Sequence, residues 1–158
     1  MQTVNRITID APPAVVFSLA AAVENWPVLL PHYRHVRLLS GAIPPVHGAV
    51  RTVLMAASRS HIPVHWIAEQ TVDEHAMEIT YRHIGGVTVG MEVVWRLVPS
   101  GAVTLVTIDH VLESPRPWLR NPFSEFVVGQ GFIVPIADAT LAGIKRQAEA
   151  HPGDGGAE

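Results

Sequence analysis

Between residues 48 and 113 the chain runs through five strand-like stretches in direct succession, near 48 to 58, 62 to 72, 76 to 84, 87 to 98 and 103 to 113. Much of this region alternates apolar and polar residues with a period of two, the pattern of a half-buried strand, and the short breaks leave no room for crossover helices. Ser58 to His61, Asp73 to His75, Gly85 with Gly86, and Pro99 to Gly101 supply residues that tolerate tight turns. The region therefore reads as an antiparallel meander, and the rest of the chain has to be fitted around that sheet.

On the N-terminal side, Thr3 to Ile9 alternates as a strand, and Asp10-Ala11-Pro12-Pro13 offers a helix start with proline in the first turn. A short amphipathic helix follows over about Ala14 to Val23. The next stretch, ENWPVLLPHYRHV from Glu24 to Val36, carries two prolines that allow at most one further helical turn before a strand over Arg34 to Leu39. It reads as a broken elbow holding Trp26, Tyr33, His32 and His35. On the C-terminal side, Phe126, Ile133, Ile136, Leu141 and Ile144 recover helical spacing over about Asn121 to Ala150. Pro135, with Gly129 and Gly131 before it, predicts a kink or a frayed first half. The tail, HPGDGGAE from 151 to 158, is expected to be disordered.

The order of elements gives an α+β class: strand, two short helices, about six further strands and one long helix. A single domain over 1–150 is expected, because the chain's 158 residues are 48% hydrophobic and can bury one sizeable core. Only 16% are charged and the formal net charge is −3, which offers no basic surface for nucleic acid. No run of eighteen apolar residues is present, so stable membrane insertion is not expected. The start, MQTVNRITIDAPP, lacks a signal-peptide pattern, which makes the cytoplasm the expected location. Without cysteine, neither disulfides nor a thiol nucleophile can form.

A curved sheet bends away from a rod that it cannot fully cover, so a gap is expected between sheet and long helix. Alternation decides which side chains would face it. Trp66, Ala68, Gln70 and Val72 share one face of their strand, Ile79, Tyr81 and His83 one face of the next, and Met91, Val93, Trp95 and Leu97 one face of the strand after. In the last strand Val106, Ile108, His110 and Leu112 are the more core-like set. The expected lining is apolar and aromatic with a few polar tips, which suits a flat apolar ligand fixed by few hydrogen bonds. An inward Gln70 needs a partner, since burying a bare amide costs about 1 to 3 kcal/mol; a ligand or water is the favoured one.

Other chemistries find no support. The nine histidines include no i, i+4 helical pair of the zinc type: His32 and His35 sit at the elbow, and His61 and His65 in a turn and a strand. The glycines of HIGGVTVGM precede a strand, not the helix that phosphate binding requires, and no GxSxG elbow is present. Glu125 and Asp138 read as solvated helix positions. No metal and no cofactor is expected.

The pattern W-P-x-x-x-P-x-Y, here Trp26, Pro27, Pro31 and Tyr33, together with the WIAEQ and EVVW segments, resembles the START-related helix-grip (SRPBCC) superfamily, in its polyketide cyclase/dehydrase (aromatase/cyclase) branch. The resemblance spans nearly the whole chain. It implies a curved antiparallel sheet of about six to seven strands wrapped around the long C-terminal helix, with a pocket in which a poly-β-ketone is cyclised by aldol addition and dehydrated. It places Trp26, Tyr33 and Trp66 at pocket positions, and puts Gln70 where the family arginine would polarise the substrate. Glutamine can donate to a carbonyl but cannot stabilise an oxyanion as guanidinium does. Two function classes therefore stand side by side. One is a cofactor-independent cyclase or dehydratase with His83 or His110 as general base and the Tyr33 hydroxyl as donor. The other is a carrier or sensor of a lipid, quinone or aromatic metabolite. Both use Trp26, Tyr33, Trp66, Gln70, Tyr81, His83, Met91, Trp95 and His110 as ligand contacts.

Overall fold

A computed structural model describes residues 1–113, 117 and 121–151. The tail beyond His151, residues Ser114 and Pro115, and the side chains of Glu125 and Phe126 lie outside the described residues.

Seven strands form one antiparallel sheet in the order β1-β7-β6-β5-β4-β3-β2. Strand β1 (Gln2–Ile9) is followed by α1 (Pro13–Ala21), a 3₁₀ turn (Val23–Asn25) and α2 (Trp26–Leu29). Strand β2 (Tyr33–Ser40) leads into the meander β3 (Val50–Arg59), β4 (Ile62–Asp73), β5 (Glu78–Gly86), β6 (Met91–Ser100) and β7 (Val103–Leu112). The meander is local, each strand pairing with the next, whereas β1 returns to pair with β7 through Gln2 opposite Val111 to Ile9 opposite Thr104. The two edges are therefore β1 and β2.

The elements arise where the local chemistry allows them. Pro13 opens α1, and Pro27 sits in the first turn of α2, positions where a missing N–H costs nothing. Pro31 follows α2 at once, and the chain turns out into β2. In the meander, Ser60 and His61 both adopt positive φ, 50° and 66°, making a two-residue turn that matches the twist of β3 and β4. One turn falls later than expected. Gly85 and Gly86 belong to the end of β5, paired with Ile67 and Trp66, and the chain reverses at 87–90 instead. The reason is steric: Gly86 has φ +92°, and a Cβ there would lie 2.6 Å from the His65 carbonyl oxygen, so glycine lets β5 close up on β4.

The C-terminal helix forms as α3 (Pro122–Val128), a π-helical turn (Gly129–Ile133) and α4 (Val134–Ala150). Pro135 can neither donate to the carbonyl four residues back nor fit its ring against it, and the widened π turn just before it absorbs that conflict. By length and composition Pro122–Ala150 is apolar enough to cross a membrane, yet Ala137, Leu141, Ile144 and Ala148 of α4 are buried within the fold. Helix α4 packs on β1, α1 and β3. The parity sets expected to face inward in β4 to β7 are buried at Trp66, Ala68, Gln70, Ile79, Tyr81, His83, Met91, Trp95, Ile108 and His110, while Leu112 at the end of β7 is half-buried.

Candidate functional site

The concave face of the sheet and the helix enclose a cavity of about 710 Å³. Its aromatic wall begins at the elbow. Trp26 is fixed at the start of α2 because its indole Nε1 donates to the Leu19 carbonyl of α1 at 3.0 Å. From there the rings run in contact: Trp26 against Trp95 at 5.9 Å, Trp26 edge-on to Tyr33 at 4.9 Å, and Tyr33 edge-on to Trp66 at 6.2 Å. Trp66 in turn stacks on His83 at 5.6 Å with planes only 5° apart. Such offset and edge contacts hold large flat surfaces in one orientation, so the wall is a preformed aromatic surface.

The polar groups fall into two sets. Toward the mouth, where Ile62 and Val87 are exposed, β5 and β7 carry His83 and His110. His83 Nδ1 lies 2.6 Å from the Thr88 hydroxyl, whereas His110 Nδ1 is buried with no hydrogen-bond partner among the described residues. Thr3, opposite His110 on β1, has a buried hydroxyl in the same condition. Burial pushes His83 down to about 3, helped by the neighbouring His110, and pushes His110 down to about 4 against the opposing pull of Asp109. Both rings are therefore neutral near pH 7 and can each accept and donate one hydrogen bond.

The second set closes the far end. Arg51, inward on β3 and only 3% exposed, donates from Nε to Gln70 Oε1 at 2.5 Å and from Nη2 to the Ala21 carbonyl at 2.9 Å. The same guanidinium donates to the Ala42 carbonyl at 3.2 Å and pairs with Glu24 at 2.7 Å. Gly41 makes the approach possible, since at φ +108° it has no Cβ to strike the Arg51 side chain. Gln70 completes the cluster by donating from Nε2 to the Ala21 carbonyl and to the Tyr81 hydroxyl, each at 3.0 Å.

A family profile described as "Polyketide cyclase / dehydrase and lipid transport" matches residues 1–149. The chain belongs to that family. As a member of the polyketide cyclase/dehydrase and lipid transport family it has the SRPBCC ligand-binding fold, and similar solved structures span both enzymes and other proteins. The protein TTHA0849 from Thermus thermophilus is 19% identical, with a TM-score of 0.79 over 97% of this chain and 100% of that one. The Zhui aromatase/cyclase from Streptomyces sp. R1128 is 18% identical, with a TM-score of 0.78 over 100% of this chain and 99% of that one. Ginseng major latex-like protein 151 from Panax ginseng is also 18% identical, with a TM-score of 0.71 over 96% and 97%. Identities this low establish a shared fold. A search of curated proteins returns no match.

Within this family member, Trp26, Tyr33, Trp66, Tyr81, His83, Met91, Trp95 and His110 all lie on the cavity wall. Gln70 does not. It faces inward as its parity predicts, and its amide is hydrogen-bonded to Arg51, Ala21 and Tyr81, so the protein's own far-end network supplies the partner that a buried amide needs. His32 faces α4, with Nε2 2.9 Å from the Thr140 hydroxyl, and its ring is packed against Tyr33. Sequence reasoning missed Arg51 with Glu24, the wall residues Met55 and Thr88, and the helix contribution of Phe132, Ile136 and Thr140. For Arg51 a signal exists: it shares a parity face with Val53, Met55 and Ala57, and an arginine in an inward register requires a partner.

Proposed function

We propose that this protein binds a flat, hydrophobic molecule of aromatic or polyketide-like character in the cavity between the sheet and the C-terminal helix. The observation that carries this reading is the continuous ring wall from Trp95 to His83, ending at a buried His110 nitrogen that no described protein group satisfies. A dry structural core would bury that nitrogen at a cost of about 1 to 3 kcal/mol with nothing in return. A ligand hydroxyl, enol or carbonyl-bearing edge at the histidine wall offsets that cost. Titration with flat apolar compounds, followed by tryptophan emission and by native mass spectrometry of the purified protein, tests the reading. Saturable one-to-one loading is expected, and failure to load any such compound would remove it.

Catalysis is the second reading, favoured by the same nitrogen. A neutral His110 could take the proton between two carbonyls of a poly-β-ketone, leaving an enolate carbon to attack a second carbonyl. The imidazolium would then protonate the alkoxide that this attack creates, and the neutral ring would next take the second proton from the same carbon and pass it to the new hydroxyl, which leaves as water as the C=C bond forms. A general base works best with a pKa near the operating pH, and burial holds both imidazoles well below it, which makes binding the better supported function. A poly-β-ketone mimic that gives the same products with and without the protein would leave binding as the whole function.

A further inference from the structure

Two buried phenols reach the cavity, and their hydrogen-bond partners differ in a way that assigns them different tasks. The hydroxyl of Tyr33 has the Thr140 side chain beside it, a group whose own proton goes to the Ile136 carbonyl at 2.7 Å. Tyr33 therefore has an acceptor at hand on the helix. Tyr81 has the opposite arrangement. Arg51 carries only donors, so the Gln70 atom against its Nε must be the amide oxygen. The Ala21 carbonyl can only accept, so the atom facing it must be the amide nitrogen. Both ends demand the same orientation, and the second N–H of that nitrogen points at the Tyr81 oxygen. A phenol that accepts at this position still holds its own proton, and its hydroxyl has no other partner among the described residues. Burial pushes the Tyr81 phenol up, so the proton stays on.

We propose that Tyr81 donates the hydrogen bond to a carbonyl oxygen of the bound ligand, and that Gln70 and Arg51 are positioning residues that aim its hydroxyl proton into the cavity. The assignment rests on the cavity being the binding site and narrows the ligand to a flat apolar molecule with a carbonyl at its inner edge. It also explains why the far end contains a full guanidinium: Arg51 holds Glu24 of the elbow together with the carbonyls of Ala21 at the end of α1 and Ala42 just after β2, and polarises the amide that in turn fixes the phenol.

The test compares 9-fluorenone with fluorene, two tricyclic probes that differ by one carbonyl, using tryptophan quenching for affinity and the infrared carbonyl stretch of bound fluorenone for the hydrogen bond. Tyr81→Phe is expected to weaken fluorenone by about fivefold to tenfold while leaving fluorene unchanged, and to remove the downshift of the carbonyl stretch seen in the unaltered protein. Gln70→Met is expected to give a smaller selective loss with a broadened stretch, and Tyr33→Phe to leave the fluorenone-to-fluorene ratio as it was. Tight binding of both probes with no carbonyl downshift in the unaltered protein overturns the assignment even if Gln70→Met fails to fold. Equal weakening of both probes by Tyr81→Phe, or transfer of the selective loss to Tyr33→Phe, overturns it as well. If neither probe binds the unaltered protein, the cavity reading falls and takes this assignment with it.

Discussion

The two polar ends of the cavity are built on opposite terms. At the far end Arg51, Gln70, Glu24 and Tyr81 form a closed network in which the guanidinium and the amide have explicit partners. At the histidine wall His83 has one partner, Thr88, and the Nδ1 atom of His110 has none among the described residues. Arg51, Gln70, His83 and His110 are all buried, so the difference lies in purpose. A satisfied network ties the elbow to the sheet and stabilises it, while an unsatisfied buried group carries a cost that a bound ligand or an ordered water would offset. The contrast predicts that the far end answers to stability measurements and the histidine wall to ligand measurements.

Acid should break the contrast first. His83 and His110 bind protons more readily in the unfolded chain, near the ordinary value of about 6.5, than in the fold, where they sit near 3 and 4. The unfolded state therefore holds more protons between these limits, and stability falls as pH drops below about 6.5, by up to roughly 1.4 kcal/mol per pH unit for each histidine. Chemical denaturation from pH 7 down to pH 4.5 should show this slope, and a flat profile would mean that the histidines are not held neutral.

The next effect belongs to the far end. Arg51→Met removes the donor to Glu24, to the Gln70 oxygen and to the Ala42 carbonyl, leaves the Ala21 carbonyl with Gln70 alone, and should cost about 3 to 5 kcal/mol, read from urea midpoints. A loss under about 1 kcal/mol would show that the network is incidental. Trp66→Ala is expected to cost about 2 kcal/mol, below the range for a fully packed tryptophan, because the residue lines an open cavity. Its larger consequence should be on ligand: affinity for flat aromatic probes drops as the stacked wall is lost, and undiminished affinity would place the binding surface elsewhere. The smallest stability effect is expected at His110→Phe. Replacing an unpartnered polar ring by an apolar one of similar shape should change stability by less than about 1 kcal/mol at pH 7 and remove one histidine's share of the acid slope. A large loss at pH 7 would make His110 structural.

The meander was legible because alternation is a direct imprint of the pleat: Trp66, Tyr81, His83, Trp95 and His110 could each be assigned a face from neighbours two residues away. The elbow was legible because proline acts locally. What stayed hidden depends on distance in the chain. Nothing near Gln70 announces that Arg51, Ala21 and Tyr81 converge on it, since those contacts come from β3, α1 and β5 and exist only once the sheet is curved. The turn misplaced at Gly85 and Gly86 has the same origin, because the glycines answer to the backbone of β4 and not to a reversal of their own strand.

The pairing of β1 with β7 bears on how the fold is reached. Hairpins within the meander close loops of a few residues and can form as soon as their strands meet, but β1 must wait for a partner about a hundred residues further along the chain, opposite Thr104 to Val111. The entropy of closing so long a loop is offset only after the meander exists to receive it, so the first strand of the chain is expected to dock among the last. Helix α4 packs on β1, and the cavity therefore gains its roof in the same late step that completes the sheet.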